Sequence, residues 1–270
     1  MKIMRIRIFN IVSRDNMLTD HDYDSAIKLC RDIAAAVETP RFYRERKREV
    51  DHSRRYLENH PISRHCLTII GNNDTPYGHG LSHAMDVAID AGAIILIDGN
   101  DMADRGPLDL LMHHAHIAGI LHDIRRSHPD HAREGARAAD AILKGIGMAQ
   151  HERTAIKRAI ENHEAFKPVR SLGNPHDQLL SDALYDADKF RWGPDNFTTM
   201  LWDIIIPRNV PLSKVMNRFP DGLAGIRKIR KTFRSETGKA YGPDFIDKGL
   251  LIGESLYREM KTQLDCSGCR

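Results

Sequence analysis

The chain has 270 residues, 41% hydrophobic and 29% charged, with a formal net charge of +3. This is the make-up of a soluble globular protein that can bury a substantial core. It excludes a disordered chain and carries no charge excess that would demand a polyanionic partner.

No apolar run reaches the ~20 residues that span a bilayer, so no membrane partner is expected. In the first residues, Lys2, Arg5 and Arg7 interrupt the apolar ones, which breaks the core a signal peptide needs. That segment reads as a short strand or a terminal helical turn. From Ala26 to Val37, apolar residues recur at helical spacing, and this first helix ends before Pro40. Residues 41–58 are heavily charged and mixed in sign and read as a solvated helix face. Residues 72–78 are rich in Asn, Gly and Pro and read as a loop. Helices are then expected over about 80–97, 108–124, 132–144, 151–165 and 177–192, with three more up to about 262. Loops are expected at Pro207, Pro211, Pro220 and Gly242–Pro243. The expectation is one all-α domain over 1–270, with a core at about 77–195 and flanking helices at about 20–60 and 196–262.

Of four cysteines, Cys30 lies on an apolar stripe and reads as packed, while Cys266 and Cys269 form a lone C-x-x-C with no second pair for a zinc site. A reduced tail and a cytoplasmic compartment follow from that reading.

Histidine is over-represented, with 15 copies. The segment 108–124 is apolar on all sides when wound as a helix, which marks a buried helix. It nevertheless ends in His122–Asp123. A buried carboxylate needs a partner, and a coordinated cation supplies one; the alternative is that Asp123 meets Arg125, Arg126 or water just past the buried turn. His163 continues the inner stripe of Ala155, Ile156, Ala159 and Ile160. His79 and His83 are spaced i, i+4 and share one helical surface. His113, His114 and His116 point in three directions and read as structural groups. Asp186 and Asp188 both lie at the edge of an apolar stripe, and periodicity does not choose between them.

Taken in order, His83, His122–Asp123, His131, His163 and Asp188 form an H…HD…H…H…D series. In this the chain resembles the HD-domain superfamily of metal-dependent phosphohydrolases, over about 115 residues from Tyr77 to Phe190. His131 with Gly135 and Ala136 resembles the helix start that follows the HD pair, and Asp188 before Lys189 resembles the closing aspartate. The resemblance implies an HD-type helical core with added N- and C-terminal helices. It implies that His83, His122, Asp123 and Asp188 hold one divalent ion, and that His131 and His163 add a second with Asp123 bridging. Such donors suit Mn, Fe, Co, Ni or Zn, and Mg less readily. Asp123 would take part in catalysis, His79 is a candidate proton carrier, and Arg125, Arg126, Lys189 and Arg191 are candidates to hold phosphate oxygens. The chain departs from the pattern at Asp86, where Asn or Arg is common, and lacks the HD-GYP signature around Asn162, which argues against cyclic-di-GMP hydrolysis.

The activity implied is hydrolysis of a phosphate ester in a nucleotide or other small phosphorylated metabolite. A di-iron oxygenase of the same superfamily and a non-catalytic metal- or nucleotide-binding sensor are the alternatives. A homo-oligomer is compatible with the sequence. The basic stretch Arg227 to Arg234, with Ile226, Ile229 and Phe233 beneath it, reads as a solvated helix face and not as a nucleic-acid site.

Overall fold

The computed structural model describes residues 18–71, 80–100 and 108–267, and among these there is no strand. The all-α expectation is met. The terminal strand or turn read from the first residues, the loop at 72–78, His79, Cys269 and the side chain of Cys266 lie outside what is described.

The centre of the fold is the pair α5 (Leu81–Gly99) and α6 (Leu108–Leu121). Every residue of α6 from Leu111 to Leu121 is buried, as expected of a helix apolar on all sides. Small residues let the two helices approach closely. A Cβ on Gly119 would lie 2.5 Å from the Ala88 Cα, and one on Gly92 would lie 2.3 Å from Nε2 of His116. Side chains at these positions would push the central pair apart.

The other helices wrap this pair. Helices α1 (Tyr23–Ala35), α2 (Arg41–Glu45), α3 (Lys47–Asn59) and α4 (Pro61–Gly71) precede it. The charged stretch 41–58 is solvated on one face only: Phe42, Val50, Ser53 and Leu57 are buried on the other. Helices α7 (His131–Gly145) and α8 (Gln150–Glu161) pack against each other, and α8 also meets α6 and α9 (Pro175–Phe190). Helix α9 begins where Asn174 accepts the backbone N–H of His176 at 2.8 Å and Pro175 fills the first helical position.

Beyond α9, a π-helical turn (Asn196–Met200) leads into α10 (Leu201–Ile205), followed by α11 (Leu212–Ile229) and α12 (Glu236–Ser267). Two expected loops are corrected here. Pro220 lies inside α11 and Pro243 inside α12. An internal proline costs about 3 kcal/mol. Burial of Phe219, Leu223 and Ile226 around the first, and of Tyr241, Phe245 and Ile246 around the second, offsets it at about 1.5–3 kcal/mol per large apolar side chain. At Gly242 a Cβ would meet the Phe233 ring at 2.4 Å, so the glycine serves packing and not the expected turn. Among the described residues, no helix is long and apolar enough to cross a membrane.

The basic stretch on α11 is paired with α12. Arg230 reaches Asp247 at 2.7 Å and Arg227 reaches Glu254, while Ile226, Ile229 and Phe233 are buried, in line with the solvated-face reading as far as Lys231. Arg234 departs from it, lying past the helix end over the Tyr185 ring and donating to the Asn162 carbonyl at 2.9 Å.

Candidate metal centre

Two helix ends and two helix bodies bring the site together. Helix α6 stops at Leu121, so His122 and Asp123 sit in the turn just beyond it, both buried. Helix α8 stops at Glu161, so His163 lies past its end and not on its stripe. His83 comes from the first turn of α5 and Asp188 from the last turn of α9. All five side chains are buried.

Their donor atoms converge. His83 Nε2 lies 3.4 Å from His122 Nε2 and 3.6 Å from Asp188 Oδ1, and His122 Nε2 lies 3.8 Å from the same Asp188 oxygen. Asp123 presents Oδ2 to His122 Nε2 at 3.3 Å and Oδ1 to His163 Nε2 at 3.4 Å. Donors bonded to one ion at about 2.0–2.2 Å, with angles of 90° to tetrahedral, stand roughly 3.0–3.5 Å apart. The observed separations match that spacing or exceed it slightly. Two groups could therefore hold an ion: His83, His122 and Asp188, and His122, Asp123 and His163.

The ring orientations are set from behind. His122 Nδ1 lies 2.8 Å from the Gly119 carbonyl and His163 Nδ1 lies 2.7 Å from the Ile160 carbonyl. A carbonyl only accepts, so Nδ1 carries the proton in both rings and the Nε2 lone pair faces the cluster, as a ligating histidine requires. Both contacts run three residues back, to a carbonyl in the last turn of the helix. The expected helices, 108–124 and 151–165, hide this outer partner, because they place both histidines inside a helix and not just past its end.

Charge is concentrated here. Burial works to raise the Asp188 carboxyl, but Lys189, His122 and His83 beside it hold it far below the usual carboxylate range. Burial works to lower His122, but the Asp123 and Asp188 carboxylates raise it. The cluster attracts positive charge, either as a proton on an imidazole or as a metal ion.

The structure chooses between the two aspartates of α9. Asp188 joins the cluster, whereas Asp186 accepts the backbone N–H groups of Arg234, at 2.9 Å, and Ser235, at 2.7 Å, at the start of α12. His131 is set apart from the other residues of the cluster. Its Nε2 lies 3.8 Å from Asp123 Oδ1 but accepts from Arg126 Nη1 at 2.7 Å, so a guanidinium occupies the lone pair that a second ion would use. Burial, together with His163, pushes His131 down to about 4.

The expected phosphate-holding cations divide. Arg126, one-third exposed, lies beside the cluster, 3.9 Å from Asp123 Oδ1; Arg125 is exposed. Lys189 is buried and donates to Asp188 Oδ2, which makes it a partner of a cluster carboxylate. Arg191 is also buried and spends its donors internally, on Asp90, Tyr43 and, at 2.6 Å, Asp195. That network ties α9 to α5 and α2, and in this arrangement its guanidinium does not serve a phosphate.

His113, His114 and His116 turn away to other neighbours. His116 Nε2 lies 2.8 Å from Ser53 Oγ, which itself donates to the Ile89 carbonyl at 2.7 Å. His113 packs on His60, with ring centroids 3.6 Å apart, and His114 Nε2 lies 3.1 Å from Glu152. Burial drives both His113 and His116 down to about 3. Their folded-state pKa thus lies below the ordinary ~6.5, so the unfolded chain binds more protons in acid. Stability is complete above about pH 6.5 and falls as the pH drops toward 3, by up to about 1.4 kcal/mol per pH unit for each histidine. Urea unfolding in EDTA should show this slope, and His113→Gln should lower it by about one histidine's share. An unchanged slope in the variant would show that His113 does not resist protonation.

Comparison of the chain with family models, with curated proteins and with solved structures finds no match.

Proposed function

We propose that this chain is a metal-dependent phosphohydrolase of the HD-domain type, cleaving a phosphate ester in a nucleotide or another small phosphorylated metabolite. The observation that supports it most is the convergence of His83, His122, Asp123, His163 and Asp188, far apart in sequence, at donor separations of 3.3–3.8 Å. The donor set, imidazole nitrogen with carboxylate oxygen, suits Mn, Fe, Co, Ni or Zn. A divalent ion bound there would lower the pKa of water toward ~7 and neutralise phosphoryl oxygens.

The chain's own groups do the rest. Gly119 and Ile160 carbonyls lock the imidazoles of His122 and His163, and Lys189 holds Asp188. Arg126, partly exposed at the edge of the cluster, is positioned to release His131 and bind a phosphoryl oxygen with its planar fork of donors. His131 would then become free to take a second ion. The buried free thiols of Cys30 and Cys66 suit a reducing compartment such as the cytoplasm.

The test is phosphate release from a panel of nucleotides and phosphate monoesters with added Mn or Co. At least one substrate should turn over, and EDTA should abolish the reaction. A metal-loaded protein that hydrolyses none of them would end the proposal.

A further inference from the structure

A second region is built to meet negative charge. Along α8, on the side facing α7 and the segment after His163, lies a cavity of about 560 Å³ lined by Arg133, Arg137, Lys157, Arg170 and a single carboxylate, Glu161. It continues into a neighbouring cavity of about 340 Å³ through Lys157, Glu161 and Arg170, which border both. From Arg153 to Glu161 the trough follows about 12 Å of helix, enough for more than one anionic group.

Two of its cations are uncommitted. Arg137 is paired with Glu134 at 2.6 Å and Arg133 lies 3.9 Å from Asp130. No ion pair of Lys157 or Arg170 is found among the described residues. Arg170 is nevertheless held in place: Asn162 Oδ1 accepts its backbone N–H at 3.1 Å, and Asn162 Nδ2 donates to its carbonyl at 2.9 Å. A cation on a clamped backbone loses less freedom on binding an anion. The lining includes Pro168 but no aromatic ring, so it offers no platform for a base.

We propose that this trough is a binding site for a run of phosphates, presented by inorganic polyphosphate or by the phosphate tail of a nucleotide. It is separate from the histidine–aspartate cluster but shares a wall with it, since Asn162 precedes His163. Across both cavities six cations face two carboxylates, Glu161 and the Asp140 that Arg153 pairs at 2.9 Å, which favours a multiply charged ligand, and guanidinium groups match phosphate oxygens in pairs.

The test is calorimetric titration of the full chain carrying Asp123→Asn, which removes phosphate binding that depends on the cluster's metal. The probes are inorganic tripolyphosphate, ATP and adenosine. Tripolyphosphate and ATP should bind and adenosine should not. Tighter binding of tripolyphosphate identifies an inorganic chain as the ligand, and equal affinity shows that either source is held through its phosphates alone. A clear preference for ATP identifies a nucleotide and overturns a site that reads phosphates only. The double variant Lys157→Gln/Arg170→Gln, at one half-buried and one exposed position, should weaken tripolyphosphate at least about tenfold, while Lys214→Gln/Arg218→Gln on α11 should leave it unchanged. Absence of tripolyphosphate binding, an unaffected Lys157/Arg170 variant, or an equal loss in the α11 control would each overturn the site. Failure of the phosphohydrolase reading would appear instead in the hydrolysis panel and leave these titrations standing.

Discussion

Asp123→Asn is expected to lower the affinity for Co²⁺ or Mn²⁺ by more than a hundredfold and to reduce phosphate release by about a thousandfold. Among the described residues of the cluster, Asp123 is the carboxylate whose two oxygens face different histidines, Oδ2 toward His122 and Oδ1 toward His163 and His131. An amide offers one weak oxygen donor and one nitrogen that does not ligate, so the change removes charge and a contact together. Altering a group that merely supports a metal ligand already costs 10–100-fold in affinity, and a ligand itself should cost more. The metal-free protein responds differently: without a cation, the same substitution removes a buried negative charge, so the variant's urea midpoint should equal or exceed that of the wild type. Metal content by mass spectrometry, Co²⁺ absorption and urea unfolding together separate a ligand from a merely structural aspartate. If the variant binds Co²⁺ like the wild type, Asp123 is not a ligand.

The second large effect concerns stability. Asp90→Ala is expected to destabilise the fold by about 3–5 kcal/mol, because it leaves the Arg191 guanidinium buried without its closest carboxylate. Arg191 donates to Asp90 and Tyr43, and the Tyr43 hydroxyl in turn donates to Asp90 at 2.7 Å. Arg191 is held well above its ordinary pKa: burial opposes this, but Tyr43 and Asp90 outweigh it. A guanidinium does not lose its proton in a protein, so Arg191 stays charged when Asp90 is removed. At a chain length of 270 residues the loss corresponds to a drop in Tm of about 10 °C. The double variant Asp90→Leu/Arg191→Met removes both charges and should recover most of it, since an apolar pair of similar volume is often as stable as a buried ion pair. Because the network joins α5 and α9, which carry His83 and Asp188, Asp90→Ala should also weaken metal binding. A single variant within about 1 kcal/mol of the wild type would show that the pair contributes nothing to the clamp.

Much of this was legible in the residues alone. The period of the apolar positions announced α5, α6, α7, α8 and α9 to within a few residues, because local burial and helix geometry impose that period wherever a helix faces a core. The all-round apolar character of residues 108–121 marked the central helix, and the His-Asp pair at its end drew attention to a buried charge in need of a cation. Helix interiors containing Pro220 and Pro243 were not legible: a proline's cost is local, whereas the packing of Phe219, Tyr241 and Phe245 that outweighs it is tertiary.

What only the folded chain decided was direction. Asp186 and Asp188 are two residues apart on one helix and equal by periodicity, yet one anchors the start of α12 and the other meets His83 and His122. Arg191 looked like a hand for phosphate and is instead closed on Asp90, and His131 gives its lone pair to Arg126. Sequence spacing determines which residues share a helix face; which neighbour that face meets depends on how distant helices pack, and no local rule carries that information.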